Sequence, residues 1–148
     1  MALLRLIALD AAELPVLSAH LQDAVVKTAD LALDSRDKRF VLHANRFNWQ
    51  AEVANPHVRE RRRSALRIEG VKAVQVQGFD PKDRSVVLSI LAVTFAPDPD
   101  ASCAPAGVLT LVCAGQAALR FHVECVELVL EDLGPVWQAS AIPVHPEP

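Results

Sequence analysis

Apolar and polar positions follow two different periods in the first 44 residues. Leu3 to Leu9 is mainly apolar and predicts a short strand. Residues 10–22 carry leucines at i, i+3 and i+7 after a capping-box spacing, which predicts an amphipathic helix. From Val25 to Ala44 apolar residues alternate on both sides of a polar turn, so we expect an antiparallel hairpin there. The alternation breaks near Asn45-Arg46, where a bulge is predicted.

The middle of the chain combines strand patterns with two long connections. Gln50 to Arg63 has little periodicity, and we interpret it as a surface loop that carries a run of arginines. Leu66 to Val76 alternates on both sides of a glycine, and Val86 to Phe95 is apolar on both faces, as in a central strand. Val108 to Cys113 and Leu119 to Val123 predict a second hairpin.

The last pattern predicts a C-terminal helix. Four apolar residues follow helix spacing: Val126, Val129, Leu130 and Leu133. Gly134-Pro135 is typical of a helix stop. The predicted fold is therefore α+β, a bent antiparallel sheet or small barrel with one N-terminal helix and one C-terminal capping helix. That order of elements matches a pleckstrin-homology-like barrel. We expect a single domain over 1–137 and an extended tail over 138–148.

Composition narrows the functional classes. Of the 148 residues, 51% are hydrophobic, so the chain can bury enough apolar surface to fold and is not a disordered protein. A formal net charge of −3 disfavours a general nucleic-acid coat, which needs a broad basic face, although a polyanion can still bind locally. The longest apolar runs, such as Ser85 to Phe95, fall short of the roughly 20 residues that a spanning helix needs. We expect no membrane contact.

Location is inferred from the cysteines and the first residues. The chain has three cysteines, an odd number, within apolar patterns, which predicts reduced thiols in the cytoplasm. The apolar start, Met1 to Ala8, is too short for a signal peptide and carries an arginine inside it. We therefore predict a cytoplasmic protein.

Arginine is concentrated in one short stretch, which is the best binding candidate in the sequence. Six residues form this tentative ligand site: Arg46, Trp49, Arg59, Arg61, Arg62 and Arg63. Guanidinium groups bind phosphate or carboxylate in a bidentate manner, and an indole can stack on a base or on an arginine. The alternative is a solvated loop whose arginines pair with another subunit or with this chain's own acids, namely Glu124, Glu127, Glu131 and Asp132.

No metal site is predicted. His122 and Cys125 are three residues apart, and Cys113 lies on the adjoining strand of the predicted hairpin. A fourth ligand is missing and the spacing is not that of a C-x-x-C pair, so buried thiols are the simpler interpretation. No cofactor is predicted either, because the chain has no GxGxxG or phosphate-loop pattern.

A hydrolytic site receives little support. Ser64 or Ser89 could be combined with His43 and Asp30, but no nucleophile elbow surrounds either serine. Serines within strands usually serve packing or hydrogen bonding. We name no catalytic residue, and whether the protein is an enzyme stays open, with the balance against it.

Several strings in the chain resemble a known family: residues 18–27, 45–49, 61–66 and 123–137. The chain is similar, over nearly its whole length, to small uncharacterised bacterial proteins described as a domain of unknown function. The resemblance implies a stand-alone bacterial cytoplasmic protein with no established activity, cofactor or catalytic residue.

Three functional hypotheses remain. The first is a non-enzymatic interaction module, which binds a protein partner or forms a homo-oligomer through an exposed apolar sheet edge or helix face. The second is a local polyanion binder, for RNA or a phosphorylated ligand, that uses the arginines. The third is an enzyme whose pocket the sequence does not reveal.

Overall fold

The computed structural model describes residues 3–47 and 60–138. Within these ranges the chain forms one α-helix and ten β-strands. In chain order they are β1 (Arg5–Ala8), α1 (Leu14–Leu21), β2 (Val25–Lys27), β3 (Leu31–Asp34), β4 (Arg39–Phe47), β5 (Glu60–Ile68), β6 (Val71–Gln77), β7 (Val87–Pro97), β8 (Gly107–Cys113), β9 (Ala118–Val123) and β10 (Leu128–Gln138).

All strands pair antiparallel in one sheet with the order β1-β10-β5-β4-β2-β7-β8-β9-β6, and β3 pairs with β4 in addition. The sheet curls onto itself. The Phe40 ring on β4 lies 4.7 Å from the Phe121 ring on β9, although β2, β7 and β8 separate these strands in the sheet order. Gly70, with φ +69°, lies in the left-handed region that favours glycine and turns the chain from β5 into β6.

The core lies inside the curl. Strands β4 and β5 place their even-numbered residues inward, including Leu42, Leu66 and Ile68, which are almost fully buried. Helix α1 covers part of this inner face, because its three buried leucines, Leu14, Leu17 and Leu21, form one stripe. Burial of each such side chain contributes about 1.5–3 kcal/mol.

The predicted C-terminal helix is wrong, because these residues form strand β10. Leu128 and Leu130 are buried on the inner face, and Val129 is buried on the outer one. Because β10 places apolar residues on both of its faces, its run of residues also matches helix spacing. Gly134-Pro135, interpreted as a helix stop, lies where the register of β10 on β5 shifts.

The α+β class with two helices and the pleckstrin-homology-like barrel are therefore wrong. The described residues form a mostly antiparallel sheet, and α1 is their one α-helix. Of the predicted tail, Gln138 is the last residue of β10, and 139–148 lie outside the described residues. No described helix has the length and hydropathy needed to cross a membrane.

Candidate functional site

The arginine run lies on strand β5, so the predicted loop over 50–63 is wrong for its last four residues. Because successive strand residues point to opposite faces of a sheet, the run divides. Arg62 points inward and is 3% exposed, whereas Arg61 and Arg63 point outward and are half-buried. A strand with arginines on both faces has no hydrophobic alternation, so its sequence resembles that of a surface loop. The remainder of that loop, 50–59, lies outside the described residues.

Inside the curl, one carboxylate accepts hydrogen bonds from three parts of the fold: β4, β5 and the residue before β1. Asp132 on β10 accepts from Arg46 Nε at 2.8 Å and Arg46 Nη2 at 2.8 Å, a bidentate pair with a β4 residue. From β5, Ser64 Oγ donates at 2.6 Å and Arg62 Nη1 at 3.3 Å. The amide of Leu4, just before β1, donates at 2.9 Å. We call Arg46, Arg62, Ser64 and Asp132 the Asp132 cluster.

Sheet register brings the Asp132 cluster together. Arg46 lies directly across from Arg62 on the neighbouring strand, and Ser64 lies directly across from Asp132. Cross-strand neighbours on one face have Cβ atoms about 4.5–5.5 Å apart, within reach of a guanidinium. The apolar inner stripe of these strands therefore ends in a charged cluster, whose four residues are each at most 4% exposed.

The electrostatics of the cluster favour an ionised Asp132. Burial alone would raise the pKa of this carboxyl, but hydrogen bonds from Arg46, Ser64 and the Leu4 amide outweigh it and lower the pKa to about 2. Two buried guanidiniums share this carboxylate, so one negative charge is the common counter-charge of both. Removal of one partner from a buried ion pair leaves a charge uncompensated.

His20 on α1 belongs to the surroundings of this cluster. Burial, and then the positive charge of Arg46, lower the pKa of His20, and the charge of Asp132 opposes them. Its Nδ1 atom is buried and makes no hydrogen bond with any described residue. Burial and the charge of Arg46 thus favour the neutral form of the ring.

The outer face of the sheet holds the other half of the arginine run. Arg61 donates to the Asn45 carbonyl at 3.1 Å, and its guanidinium carbon lies 5.6 Å from the centre of the Phe47 ring. Arg63 lies 3.8 Å from the Asp30 carboxylate. Arg62 therefore lies on one face of β5 and Arg61 and Arg63 lie on the other, although the sequence grouped all three into one site.

An apolar edge lies at the β1 end of the sheet, and sequence analysis did not identify its residues. Among the described residues, β1 is paired on one side only. Five of the eight exposed large apolar side chains of the described residues are on or beside β1, on α1 or on β10: Leu3, Ile7, Leu9, Val16 and Leu133. A cleft of about 350 Å³ separates β1 from α1. We call β1 with its flanking Leu3 and Leu9 the β1 edge.

A family model, described as "Protein of unknown function (DUF2948)", matches residues 4–145. The chain belongs to the DUF2948 family. Among curated proteins and solved structures, none matches it. The family description names no chemistry, so any function has to be argued from the residues of this chain.

Within this DUF2948 chain, the residues considered for hydrolysis do not converge. Ser64 is fully buried and donates to Asp132, whereas His43, opposite Ala65 in the register, is on the outer face. Asp30 faces Arg63 instead. The Ser64 hydroxyl thus has a structural partner and no access to a substrate.

The residues considered for a metal also lie apart in the DUF2948 chain. Cys113 is buried, and burial raises the pKa of its thiol to about 11. His122 contacts Gln75 at 3.0 Å on the other face of the hairpin. No group of three or more metal-ligating side chains occurs within 3–47 and 60–138.

The tentative ligand site is therefore divided in this family member. Arg46 and Arg62 are in the buried Asp132 cluster, Arg61 and Arg63 are on the outer face, and Trp49 and Arg59 lie outside the described residues. Asp132, the central residue, was named in the sequence only as one of four acids available for pairing. The sequence does contain a signal for Arg46, Arg62 and Ser64, because a polar residue at an inward position of an otherwise apolar strand needs a buried partner.

Proposed function

We propose that this DUF2948 protein is a self-associating interaction module in which two copies pair through their β1 edges. The observation that carries this proposal is an apolar edge strand that has a neighbour on one side only among the described strands. Leu3 is 53% exposed, Ile7 44% and Leu9 62%. Sheet edges that stay unpaired are normally protected by charge, proline or a covering element.

The backbone of β1 supports pairing. The Asp132 amide donates to the Leu4 carbonyl, so even-numbered residues of this strand turn their peptide groups toward β10. In an antiparallel pair the peptide groups of alternate residues face opposite sides. The groups of Arg5 and Ile7 therefore face the free edge, where a second strand can bond to them.

The side chains of the β1 edge are self-complementary in one antiparallel register. If Leu6 faces Leu6 of the second copy, Arg5 faces Ile7 of that copy and Leu3 faces Leu9. Each exposed leucine then meets an apolar partner, and no arginine faces an arginine. This is the isologous arrangement expected of a two-fold dimer.

Helix α1 enlarges the contact. A pair of short strands buries less than the roughly 1,200–2,000 Å² of a stable protein interface, so further contact is needed. The cleft beside β1 is lined by Leu6, Val16 and Leu17, with Ile7, Ala12 and Glu13 at its sides. In the proposed register, Leu6 of the second copy lies on the same face as this cleft and fills it, which also covers the exposed Val16.

The opposite end of the sheet is less suited to pairing. Strand β6 is the other end of the sheet order, and it exposes Lys72, Gln75 and Gln77. Lysine and amide side chains on an edge disfavour addition of another strand. Self-association is therefore assigned to the β1 edge.

We also infer that the module acts in the bacterial cytoplasm. Its cysteines, Cys103, Cys113 and Cys125, are all free thiols, which is usual in that reducing compartment. The bacterial origin is supported by the resemblance of the sequence to small bacterial proteins.

Sedimentation velocity over a range of protein concentrations tests the proposal. Wild type is expected to shift from monomer to dimer as concentration rises. Ile7→Pro removes an N–H that faces the free edge and no bond to β10, so it is expected to stay monomeric with an unchanged circular dichroism spectrum.

Leu9→Glu should also weaken the dimer, whereas Leu33→Glu changes another exposed leucine, on β3, and should leave the dimer intact. A wild type that remains monomeric at the highest concentration rules out self-association. Dimerisation that survives both Ile7→Pro and Leu9→Glu rules out the β1 edge.

A further inference from the structure

One end of the curl holds a pocket that contains no residue of the Asp132 cluster and, of the β1 edge, only Leu9. We propose that this pocket binds a small aliphatic amine, whose ammonium group pairs with Asp10 and Asp98 and whose carbon chain lies against Phe95. The inference goes beyond self-association and does not depend on it, because a single copy of the chain supplies all of these residues.

The pocket lies where four strands begin or end, and we call it the mouth pocket. Strand β1 ends at Ala8 across from Leu128, the first residue of β10, and β7 ends at Pro97 across from Gly107, the first residue of β8. Its walls come from the connection between β1 and α1, the connection between β7 and β8, and the residues just before β10. The mouth of a curled sheet is a common place for a ligand site.

Most of the mouth pocket is apolar. The cavity measures about 190 Å³, with the buried Ala106 and Val126 as its floor and Leu9, Phe95 and Pro105 at its sides. Pockets for drug-sized ligands measure roughly 300–1,000 Å³, so this one suits a molecule of a few carbon atoms.

The Phe95 ring is placed beside the pocket by a glycine. A Cβ atom on Gly107 would lie 2.5 Å from Phe95 Cζ and 2.4 Å from the Ala96 carbonyl oxygen, so a larger residue would displace the ring. The half-buried ring therefore packs over the backbone of β8 and also lines the cavity. An aromatic ring packs against carbon chains and attracts ammonium groups.

The charged groups of the mouth pocket are two aspartates. Asp10 lies in the wall that follows β1, and Asp98 lies in the wall that follows β7. No lysine or arginine lines the cavity, and no cation of the described residues lies within ion-pair distance of either aspartate. The chain segments that carry these aspartates, 6–26 and 85–119, contain no lysine or arginine. The pocket is therefore locally negative.

The third lining segment does not offset this charge. Val126 is flanked by two glutamates, of which Glu124 pairs with Lys38 at 2.9 Å and Glu127 is exposed. The Glu124–Lys38 pair is neutral as a unit, and Glu127 adds a negative charge. All three parts of the wall thus favour a cationic ligand over an anionic one.

Local backbone amides orient the two carboxylates. Asp10 Oδ1 accepts from the Glu13 amide at 3.0 Å, and Asp98 Oδ1 accepts from the Asp100 amide at 2.9 Å. The second oxygen of each carboxylate can accept from an ammonium group, which has three N–H donors. A metal ion would contact the carboxylates but leave the apolar lining unused. An ammonium group on a short carbon chain uses both.

Titration of the nitrogen-15-labelled protein with n-pentylamine near neutral pH, followed by NMR, tests this inference. Wild type is expected to bind saturably, with the largest amide shifts at residues that line the mouth pocket. The probe 1-pentanol has the same chain without the charge and should bind about tenfold more weakly, because charge-assisted hydrogen bonds are the stronger ones. Methylamine keeps the charge but not the chain, and it should also bind about tenfold more weakly or less.

Two variants remove the charge and keep the local turns. Asp10→Asn and Asp98→Asn each retain a side-chain oxygen for the backbone amide, and each should weaken pentylamine binding about tenfold. The matched control is Asp100→Asn, in the same connection as Asp98. The Asp100 carboxylate accepts from Ser102 and does not line the pocket, so this variant should bind as wild type does.

Several results would overturn the proposal. These are no saturable shift at the lining residues, pentanol binding as tight as that of pentylamine, and equal weakening by Asp98→Asn and Asp100→Asn. Tighter binding of Nα-acetyl-lysine N-methylamide than of pentylamine would show that the pocket takes a lysine side chain of a partner protein, and would overturn the assignment to a free amine.

The Ile7→Pro variant separates this proposal from self-association in the same titration. Retained pentylamine binding by this variant supports a pocket that is complete in the monomer. Binding that disappears together with dimerisation would overturn the claim that one copy of the chain is sufficient.

Discussion

Arg61 and Arg62 are adjacent in sequence and lie in opposite environments. Arg62 points into the curl, is 3% exposed and contacts the Asp132 carboxylate, whereas Arg61 lies in solvent reach against a phenylalanine ring. The difference comes from strand geometry alone, since neighbouring residues of β5 point to opposite faces. The arginine run on β5 is therefore divided between the buried inside of the sheet and its outer face.

The largest expected effect on stability comes from replacement of Asp132, the buried carboxylate that Arg46 and Arg62 share. Asp132→Asn removes the anion that the buried guanidiniums of Arg46 and Arg62 share, which should lower the free energy of unfolding by about 3–5 kcal/mol in a urea titration. Glu131→Gln, the neighbouring exposed acid, should change it by less than about 1 kcal/mol. Equal effects of the two substitutions would contradict the assigned role of the Asp132 cluster.

The second-largest effect on the free energy of unfolding is expected when Arg62 and Arg61 are replaced in parallel. Arg62→Met removes a charged hydrogen bond but keeps the bidentate Arg46 pair, so a loss of about 1–3 kcal/mol is expected. Arg61→Met should cost less than about 0.5 kcal/mol. Urea titrations of both variants measure the difference, and a larger loss for Arg61→Met would reverse the inner and outer assignments.

The stability of wild type should depend more steeply on acidic pH than that of Asp132→Asn. The folded pKa of Asp132 is lowered to about 2, below the unfolded value. Its ionisation therefore stabilises the fold above about pH 4, and this contribution, roughly 2 kcal/mol, is lost as pH falls toward 2. Urea titrations at several pH values should show a steeper acid loss for wild type than for Asp132→Asn. Parallel pH curves would contradict this.

His20 should give the smallest effect. Its pKa is lowered in the folded protein, so the unfolded chain binds the proton more readily, and stability falls as pH drops below the ordinary histidine pKa of 6.5. His20→Gln should flatten the stability curve between pH 7 and pH 5. His122→Gln, which changes a histidine beside Gln75 on β9, is the control and should retain the wild-type slope.

The local patterns of the sequence predicted several elements well. The leucine stripe of residues 10–22 lies in α1 at Leu14–Leu21, and the second hairpin lies in β8 and β9. The helix and the hairpin both form through contacts between residues that are close in sequence, and such elements can be predicted from hydrophobic periodicity alone. Strand β10 was predicted as a helix because its burial depends on β1 and β5, which are distant in the chain.

The candidate site was harder to predict for the same reason. Arg46, Arg62 and Asp132 meet only through the order and register of three strands, and no local pattern reports that register. The sequence did show an unusual concentration of arginine. It did not show which arginines face inward, because Arg61 to Arg63 carry no hydrophobic alternation from which a face could be assigned.

The hydrogen bond between Leu4 and Asp132 spans 128 positions of the chain. Contacts this distant in sequence form slowly when a protein folds, because the chain loses the entropy of a long loop before the contact stabilises it. During synthesis, the first strand has to wait until β10 leaves the ribosome. Until then its leucines are exposed on both sides, so the interval before β10 arrives is the period of greatest aggregation risk for this protein.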